Sequence, residues 1–261
     1  MTSHRSPRTL RALGPITLVG TLVTDDAAQS AVFFNARYLL RAAATAPIPA
    51  TKQLGNLTRA FVERAFVDMR WPPEYAELVS HVNARLDEPD VWRLRLLRAA
   101  LQNARLLRKY RGAFSATARG RELLAPGREG ELYLELFEAY FEKTNLAFTD
   151  GYPEDPWLQH GVPHLLWLLL GVREPGMTIA DLAGELIVDK AAWSAAEYCS
   201  PLELLSGALR RRILEPLEDF GLITVSRSPK PGAHPWRNDA AHLVAVTPLF
   251  AKFVVEAGSL N

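Results

Sequence analysis

Cysteine is almost missing from this chain; Cys199 is the only one. A lone cysteine excludes an internal disulfide and a cysteine-based zinc site, and it fits a reducing, cytoplasmic compartment. Cys199 itself is expected to be a small, buried or half-buried residue. Long apolar runs are missing as well. The richest, Leu165 to Val172, falls far short of the ~20 residues that cross a bilayer. It follows Pro163 and is expected to be a core helix, so no membrane partner is expected. Lysine is scarce, with 6 against 24 arginines, a bias that fits a GC-rich genome.

The signatures of several chemistries are also lacking. There is no Gly-x-x-x-x-Gly-Lys phosphate loop, no Gly-x-Gly-x-x-Gly after a strand and no Gly-x-Ser-x-Gly elbow. His160 and His164 have the i, i+4 spacing of metal ligands, but Gly161 and Pro163 lie between them and no glutamate follows His160. The zinc-protease pattern is therefore absent. The expectation is a protein without an enzymatic step, a metal or a cofactor.

Net charge is small, +1 over 261 residues, but its distribution is uneven. Residues 1–130 hold 20 Lys and Arg against 11 Asp and Glu, and residues 131–261 hold 10 against 18. Within the basic half, residues 90–128 carry 10 cations and 2 acids, nearly all of the excess. Clustered cations suit a polyanion, because each phosphate contact needs its own positive group. They equally suit a solvated face or a patch paired with the chain's own acidic half.

No repeat of 20–50 residues is visible, which argues against a solenoid. A basic N-terminal tail leads to an expected strand at 16–24. Residues 27–46 are helix-rich and stop at Pro47-Ile48-Pro49. After a turn at Gly55-Asn56, Leu57, Phe61, Ala65 and Met69 mark the face of a helix. A further amphipathic helix spans 74–86. Asp90 is the expected N-cap of a helix from Val91 to Arg105. Its apolar arc holds Leu94, Leu96, Leu97, Ala100, Leu101 and Ala104. Arg95, Arg98, Gln102 and Arg105 fall within about 80° on the other side, while Arg93 projects from the apolar side. Arginine and glutamine make paired hydrogen bonds to base edges, and arginine also binds phosphate. Two short runs around Arg111-Gly112 then predict a hairpin.

The stretch LRLLRAALQNARLLRKYRGAFSATARGREL, residues 94–123, resembles the recognition helix, wing and following helix of winged helix-turn-helix proteins. Leu106-Leu107 match the exit from the helix, Arg108 to Ala116 the wing, and Thr117 with Gly120 the Thr-x-x-Gly close. The glycine that usually ends such a helix is absent. Ala104 and Arg105 stand there, so Asn103 or a frayed end is expected to serve. The wider stretch from Ala50 to Pro153 is similar to a bacterial, often plasmid-associated group of uncharacterised open reading frames. That resemblance implies a bacterial source and no particular activity.

The second half repeats the theme. Ser200 and Pro201 are a strong helix start, and Leu202, Leu205, Leu209, Ile213, Leu217 and Phe220 form one stripe up to Gly221. Pro216 should bend that helix. Strands are expected at 222–226 and 242–247, with Arg227, Lys230 and Arg237 in the loop between them and a closing helix over 248–257. This resembles a second winged helix with a long wing. Arg210, Arg211 and Arg212 fan around its helix, and Glu215, Glu218 and Asp219 are expected on the exposed side. Between the two halves, Glu131, Glu135, Glu138 and Glu142 form an acidic stripe on a helix at 129–148. It is expected either as a solvated face or as the partner of the Arg95-to-Arg105 stripe, within one chain or in a homodimer.

The expected fold is thus mainly α, with tandem winged-helix modules, small β-hairpin wings and helical joining segments. The expected division is a 1–49 tail, strand and helix, a first module at 50–128, connecting helices at 129–172 and a second module at 173–261. The function this implies is a double-stranded DNA-binding transcriptional regulator. Arg95, Arg98, Gln102, Arg105, Arg108, Lys109, Arg111 and Arg119 would contact nucleic acid. The alternative is an adaptor or assembly subunit that docks proteins on the same surfaces.

Overall fold

The computed structural model describes residues 10–152, 156–186, 200–226 and 239–259. The described residues form two compact units, one of residues 21–144 and one of residues 10–20 with those described from 145 onward. Their boundaries therefore differ from those the sequence spacing suggests. The N-terminal hairpin, β1 (Leu10–Leu13) and β2 (Ile16–Val19), belongs to the second unit. A single strand at 16–24 was the expectation. Instead the chain turns at Gly14-Pro15, with Gly14 at φ 61°, and Leu13 pairs with Ile16.

The first unit is built around two helices. After a short α1 (Thr24–Ala27), α2 (Ala31–Thr45) starts at Ser30, whose side chain accepts from the Phe33 amide at 3.1 Å. Val32, Phe33, Ala36, Leu39, Leu40 and Ala43 are its buried stripe, at the spacing of a helix with one face in a core. Next come β3 (Ile48–Pro49), α3 (Arg59–Asp68) and α4 (Pro73–Val82). A 3₁₀ turn (Glu88–Asp90) precedes α5 (Trp92–Asn103). Asp90 does not cap α5. Asp87 and Asp90 instead close a capping box on the 3₁₀ turn, and Val91 stands at the N-cap of α5. The hairpin follows as β4 (Leu107–Tyr110) and β5 (Ala113–Ala116), then α6 (Ala118–Glu122) and α7 (Glu129–Phe141). The sheet order is β3-β5-β4, all antiparallel, so β4 is an edge. All but one residue of α7 is buried, including Glu129, Glu131 and Glu138. Glu131 and Glu138 of the acidic stripe are therefore not on a solvated face, Glu135 is half-buried, and Glu142, just past the helix, is exposed.

The second unit contains α8 (Pro156–His160), α9 (Val162–Leu170), β6 (Met177–Thr178) and α10 (Ile179–Leu186). Then α11 (Pro201–Leu209) starts at a full capping box between Ser200 and Glu203. It passes through a π turn (Arg210–Leu214) into α12 (Glu215–Asp219). Pro216 explains the wide turn, since its ring would strike the carbonyl four residues back in a regular helix. Leu205, Leu209, Ile213, Leu217 and Phe220 are buried as the stripe requires, while Leu202 is partly exposed. Next are β7 (Ile223–Val225), β8 (Leu243–Val246), α13 (Pro248–Phe253) and β9 (Val254–Glu256). The closing helix is shorter than expected. The β-branched Val254 and Val255 leave it to pair with Leu18 and Thr17 of β2. The sheets are β6-β8-β7 and β1-β2-β9. Cys199 and the loop arginines and lysine at 227, 230 and 237 lie outside the described residues.

The two units share a device. In each, a short early strand pairs with the last strand of a later hairpin. In each, the helix before that hairpin ends in the same pair of backbone bonds. Arg105 and Leu106 donate to Gln102 and Leu101, and Gly221 and Leu222 donate to Glu218 and Leu217. A threonine closes both. Thr117 Oγ1 donates to the Arg105 carbonyl at 2.8 Å, and Thr247 Oγ1 to that of Gly221 at 2.7 Å.

Candidate nucleic-acid interface

Glu88 organises the polar side of α5. It sits in the 3₁₀ turn, fully buried. One carboxylate oxygen accepts the Leu57 amide at 2.7 Å and the other accepts from Arg98 Nε. A carboxylate so deep needs a cation and hydrogen bonds on both oxygens, and Arg98 supplies the cation. Arg98 also lies over the Phe114 ring, 5.2 Å from its centroid, and donates from Nη1 to Gln102 Oε1. Arg98 is therefore taken up by the fold and leaves the candidate interface. Gln102 keeps its NH₂ group. Arg93, on the apolar side, is buried with its guanidinium 4.9 Å from the ring centroids of both Tyr75 and Trp92.

Arg95 and Arg105 are exposed, and their side chains have no hydrogen-bond or ion-pair partner among the described residues. Arg105 also resolves the missing glycine. It occupies the position just past the helix with φ 59°, the left-handed conformation that glycine normally supplies there. The helix ends sharply, and neither Asn103 nor a frayed turn is used. Asn103 instead donates to the Lys143 carbonyl and to Thr144 Oγ1.

On the hairpin, Arg108, Lys109, Tyr110 and Arg111 are all exposed. Arg108 and Arg111 flank the Tyr110 ring at 5.9 and 5.1 Å. The Lys109 ammonium lies against Gly55, where a Cβ would fall 1.7 Å from Nζ. Arg111 and Gly112 both have positive φ, 48° and 75°, as a two-residue turn matched to strand twist requires. Thr117 caps α6 by accepting the Gly120 amide at 3.0 Å. Gly120 has no room for a side chain, since a Cβ would sit 2.3 Å from the Leu106 carbonyl oxygen. The Thr-x-x-Gly pattern thus locks the last helix onto the start of β4.

Arg119 is not part of this exposed set. It pairs with Glu122 at 3.0 Å and with Glu131 and Glu135 on α7. Burial works against its positive charge, but the hydrogen bonds it donates to Glu135, Glu131 and Glu122 outweigh it and raise its pKa further. Arg128 adds to Glu131 and Glu122, and Lys143 meets Glu138 at 3.3 Å. The α7 glutamates 131, 135 and 138 are thus answered by Arg119, Arg128 and Lys143, not by the α5 stripe. Burial pushes the Glu135 carboxyl above its ordinary range, against the pull of Arg119. Sequence spacing carries no sign of the part Glu88 plays, because its partners Leu57 and Arg98 lie 31 and 10 positions away. Arg121, exposed and unpaired on α6, was equally hidden beside Arg119.

In the second unit the three adjacent arginines are all engaged. Arg212 is buried and pairs with Asp150 at 2.8 and 2.9 Å, and it donates to the Tyr152 carbonyl. Arg211 pairs with Glu215 at 2.9 Å, and Arg210 Nη1 meets His242 Nδ1 at 3.0 Å. Glu215 and Glu218 are partly buried and serve this helix. Glu218 accepts the Val225 amide at 3.2 Å. His164 stacks on Trp167. Among the described residues no group of three or more His, Cys, Asp or Glu is placed to hold a metal ion, and no helix is long and apolar enough to cross a membrane.

A family model described as the Y4jL N-terminal domain matches residues 28–129. That span runs from just before α2 to the start of α7 and contains the whole exposed basic segment. The match fits the resemblance to plasmid-associated open reading frames. No curated protein and no solved structure matches the chain.

Proposed function

We propose that the chain binds double-stranded DNA through the end of α5 and the β4–β5 hairpin, as a bacterial cytoplasmic regulator with two winged-helix modules. One backbone observation carries the reading. Among the described residues only two that are not glycine have positive φ, Arg105 and Arg111. Both are exposed arginines, and they bracket β4. Each stands where glycine or asparagine costs less, so the backbone conformation gives no reason for arginine there. Strain of this kind collects at binding sites, where something outside the fold rewards the side chain.

The sheet order supports the winged-helix part of the proposal. In the sheets β3-β5-β4 and β6-β8-β7 the strand that comes first in the sequence pairs with the third, and a helix directly precedes the hairpin. In this reading Arg95, Gln102 and Arg105 lie in or beside the major groove. Arg108, Lys109 and Arg111 contact phosphate or the minor groove. The reading assigns no catalytic step, metal or cofactor. The basic side chains of β4 have a second use, since charge on an edge strand discourages pairing with another sheet.

The test is binding of mixed-sequence duplex DNA over a salt series. Five exposed cations, if each neutralises one phosphate, predict a slope of about −4.5 in log affinity against log salt. No binding at low salt, or an affinity flat with salt, overturns the proposal. One observation weighs against the docking alternative, in which the α5 stripe meets α7 glutamates of a second copy. Glu131, Glu135 and Glu138 are already paired within their own unit.

A further inference from the structure

The loop between β3 and α3 is tied to both parts of the proposed interface. Ala50 pairs with Leu57, and three bonds close the loop between them. The Thr51 amide donates to the Asn56 carbonyl at 2.7 Å, and the Gly55 amide to the Thr51 carbonyl at 2.9 Å. The Asn56 amide donates to Thr51 Oγ1 at 3.0 Å. Gly55 has φ 68°, a left-handed conformation that glycine adopts without strain. One end of the loop is held to the hairpin turn, where the Ala50 amide donates to the Gly112 carbonyl at 2.8 Å. The other end is held to α5, through the Leu57 amide, Glu88 and Arg98.

Lys109 joins the hairpin to this loop a second time. In the β4–β5 register Lys109 lies opposite Phe114, so both side chains leave the same face of the hairpin. That face is the one toward α5, since Arg98 lies over the Phe114 ring. Arg108 and Tyr110 leave the opposite face. The Lys109 ammonium ends beside Gly55, with no hydrogen-bond or ion-pair partner among the described residues. The loop adds a second cation of this kind. Lys52 and Gln53 are exposed, and their side chains also have no such partner among the described residues. Residues 50–57 contain no acid. The fold thus gathers two ammonium groups at one well-braced loop, and no described residue answers either of them.

We propose that residues 51–56 are a third DNA-contacting element, beside α5 and the hairpin, with Lys52 on a backbone phosphate. The proposal rests on the DNA-binding reading above. A phosphate supplies the anion that both ammonium groups lack, and phosphate contacts fix the register of a protein on the duplex. The loop is ordered by its own hydrogen bonds before DNA arrives, so little backbone freedom is lost on binding.

The test uses the full chain and mixed-sequence duplex, with two independent variants. Lys52→Ala is expected to flatten the salt slope by about 0.9, the share of one phosphate. With Gln53 replaced by the photo-crosslinker benzoylphenylalanine, irradiation is expected to join the chain to the duplex, and the yield is expected to fall as salt rises. Neither side chain takes part in the bonds that close the loop. An unchanged slope for Lys52→Ala overturns the inference. So does a crosslink from position 53 that is absent, or that forms only to a second copy of the chain. In each of these cases salt-dependent binding by the parent leaves the DNA-binding reading standing. Absence of parent binding at low salt overturns the inference and that reading together.

Discussion

Arg105→Gly should raise stability and lower DNA affinity in the same protein. Arg105 holds φ 59° at the position just past α5. A left-handed conformation costs an L-residue about 1–2 kcal/mol, which glycine avoids. Glycine gives back about 0.5–1 kcal/mol through the greater freedom of its unfolded chain. The net gain is about 0.5–1 kcal/mol, and the 2.9 Å bonds that end the helix, to Gln102 and Leu101, are kept. For a unit of this size that raises Tm by about 2–5 °C. In the proposed complex, removing one cation beside the groove should also flatten the salt slope by up to about 0.9. Arg105→Ala separates the two effects, since it loses the cation but keeps the strain. It should bind like the glycine variant and melt no higher than the parent. Calorimetry and fluorescence anisotropy on labelled duplex give both readings. A glycine variant that melts lower refutes the account of the helix end. One that melts higher but binds with an unchanged slope removes Arg105 from the interface.

Glu88→Ala should destabilise the first unit by about 3 kcal/mol in urea denaturation, because it leaves a half-buried guanidinium and the Leu57 amide without partners; a loss under 1 kcal/mol would contradict the network. Gly120→Ala drives a Cβ into the Leu106 carbonyl, and a cost of about 2 kcal/mol or more is expected from thermal melts, with wild-type stability refuting the close approach. Arg119→Ala should destabilise the fold while leaving the salt slope of DNA binding unchanged, since its charge is spent on α7; a flatter slope would return it to the interface. Burial raises the Glu135 carboxyl above its unfolded value, so the native state binds that proton more tightly and the associated stability is lost as pH rises through the raised value. The stability of Glu135→Gln relative to the parent should therefore climb between pH 4 and 7 in chemical denaturation, and a relative stability that falls over that window would mean that Arg119 dominates.

Local signals in the sequence located much of the fold because the structure satisfies them locally. The hairpin at Arg111-Gly112, the Ser200 cap and the Thr117-to-Gly120 close each depend on residues within a few positions. Long-range partners were hidden. Glu88 meets Leu57, 31 positions earlier, and Arg98, 10 positions later, and no periodicity links the three. The charge tally counted Arg98 and Arg119 as surface cations because summed charge carries no information about pairing. The acidic stripe on α7 was visible as a stripe, yet its burial was not. Its partners Arg119, Arg128 and Lys143 lie on other elements or beyond its end. The shortened closing helix has the same cause, since Val254 leaves the helix for a strand near the other end of the chain.

That pairing has a consequence for synthesis. Ile16 emerges from the ribosome early, but its partner Glu256 follows about 240 residues later, some 10–50 s at ordinary elongation rates. Throughout that interval β2 has β1 on one side and nothing on the other. The whole first unit can be completed meanwhile, because its residues lie between the two. A product cut short before Val254 would keep a finished basic segment and a bare strand edge, which is a template for aggregation. β9 thus acts as a seal that only translation through Glu256 supplies.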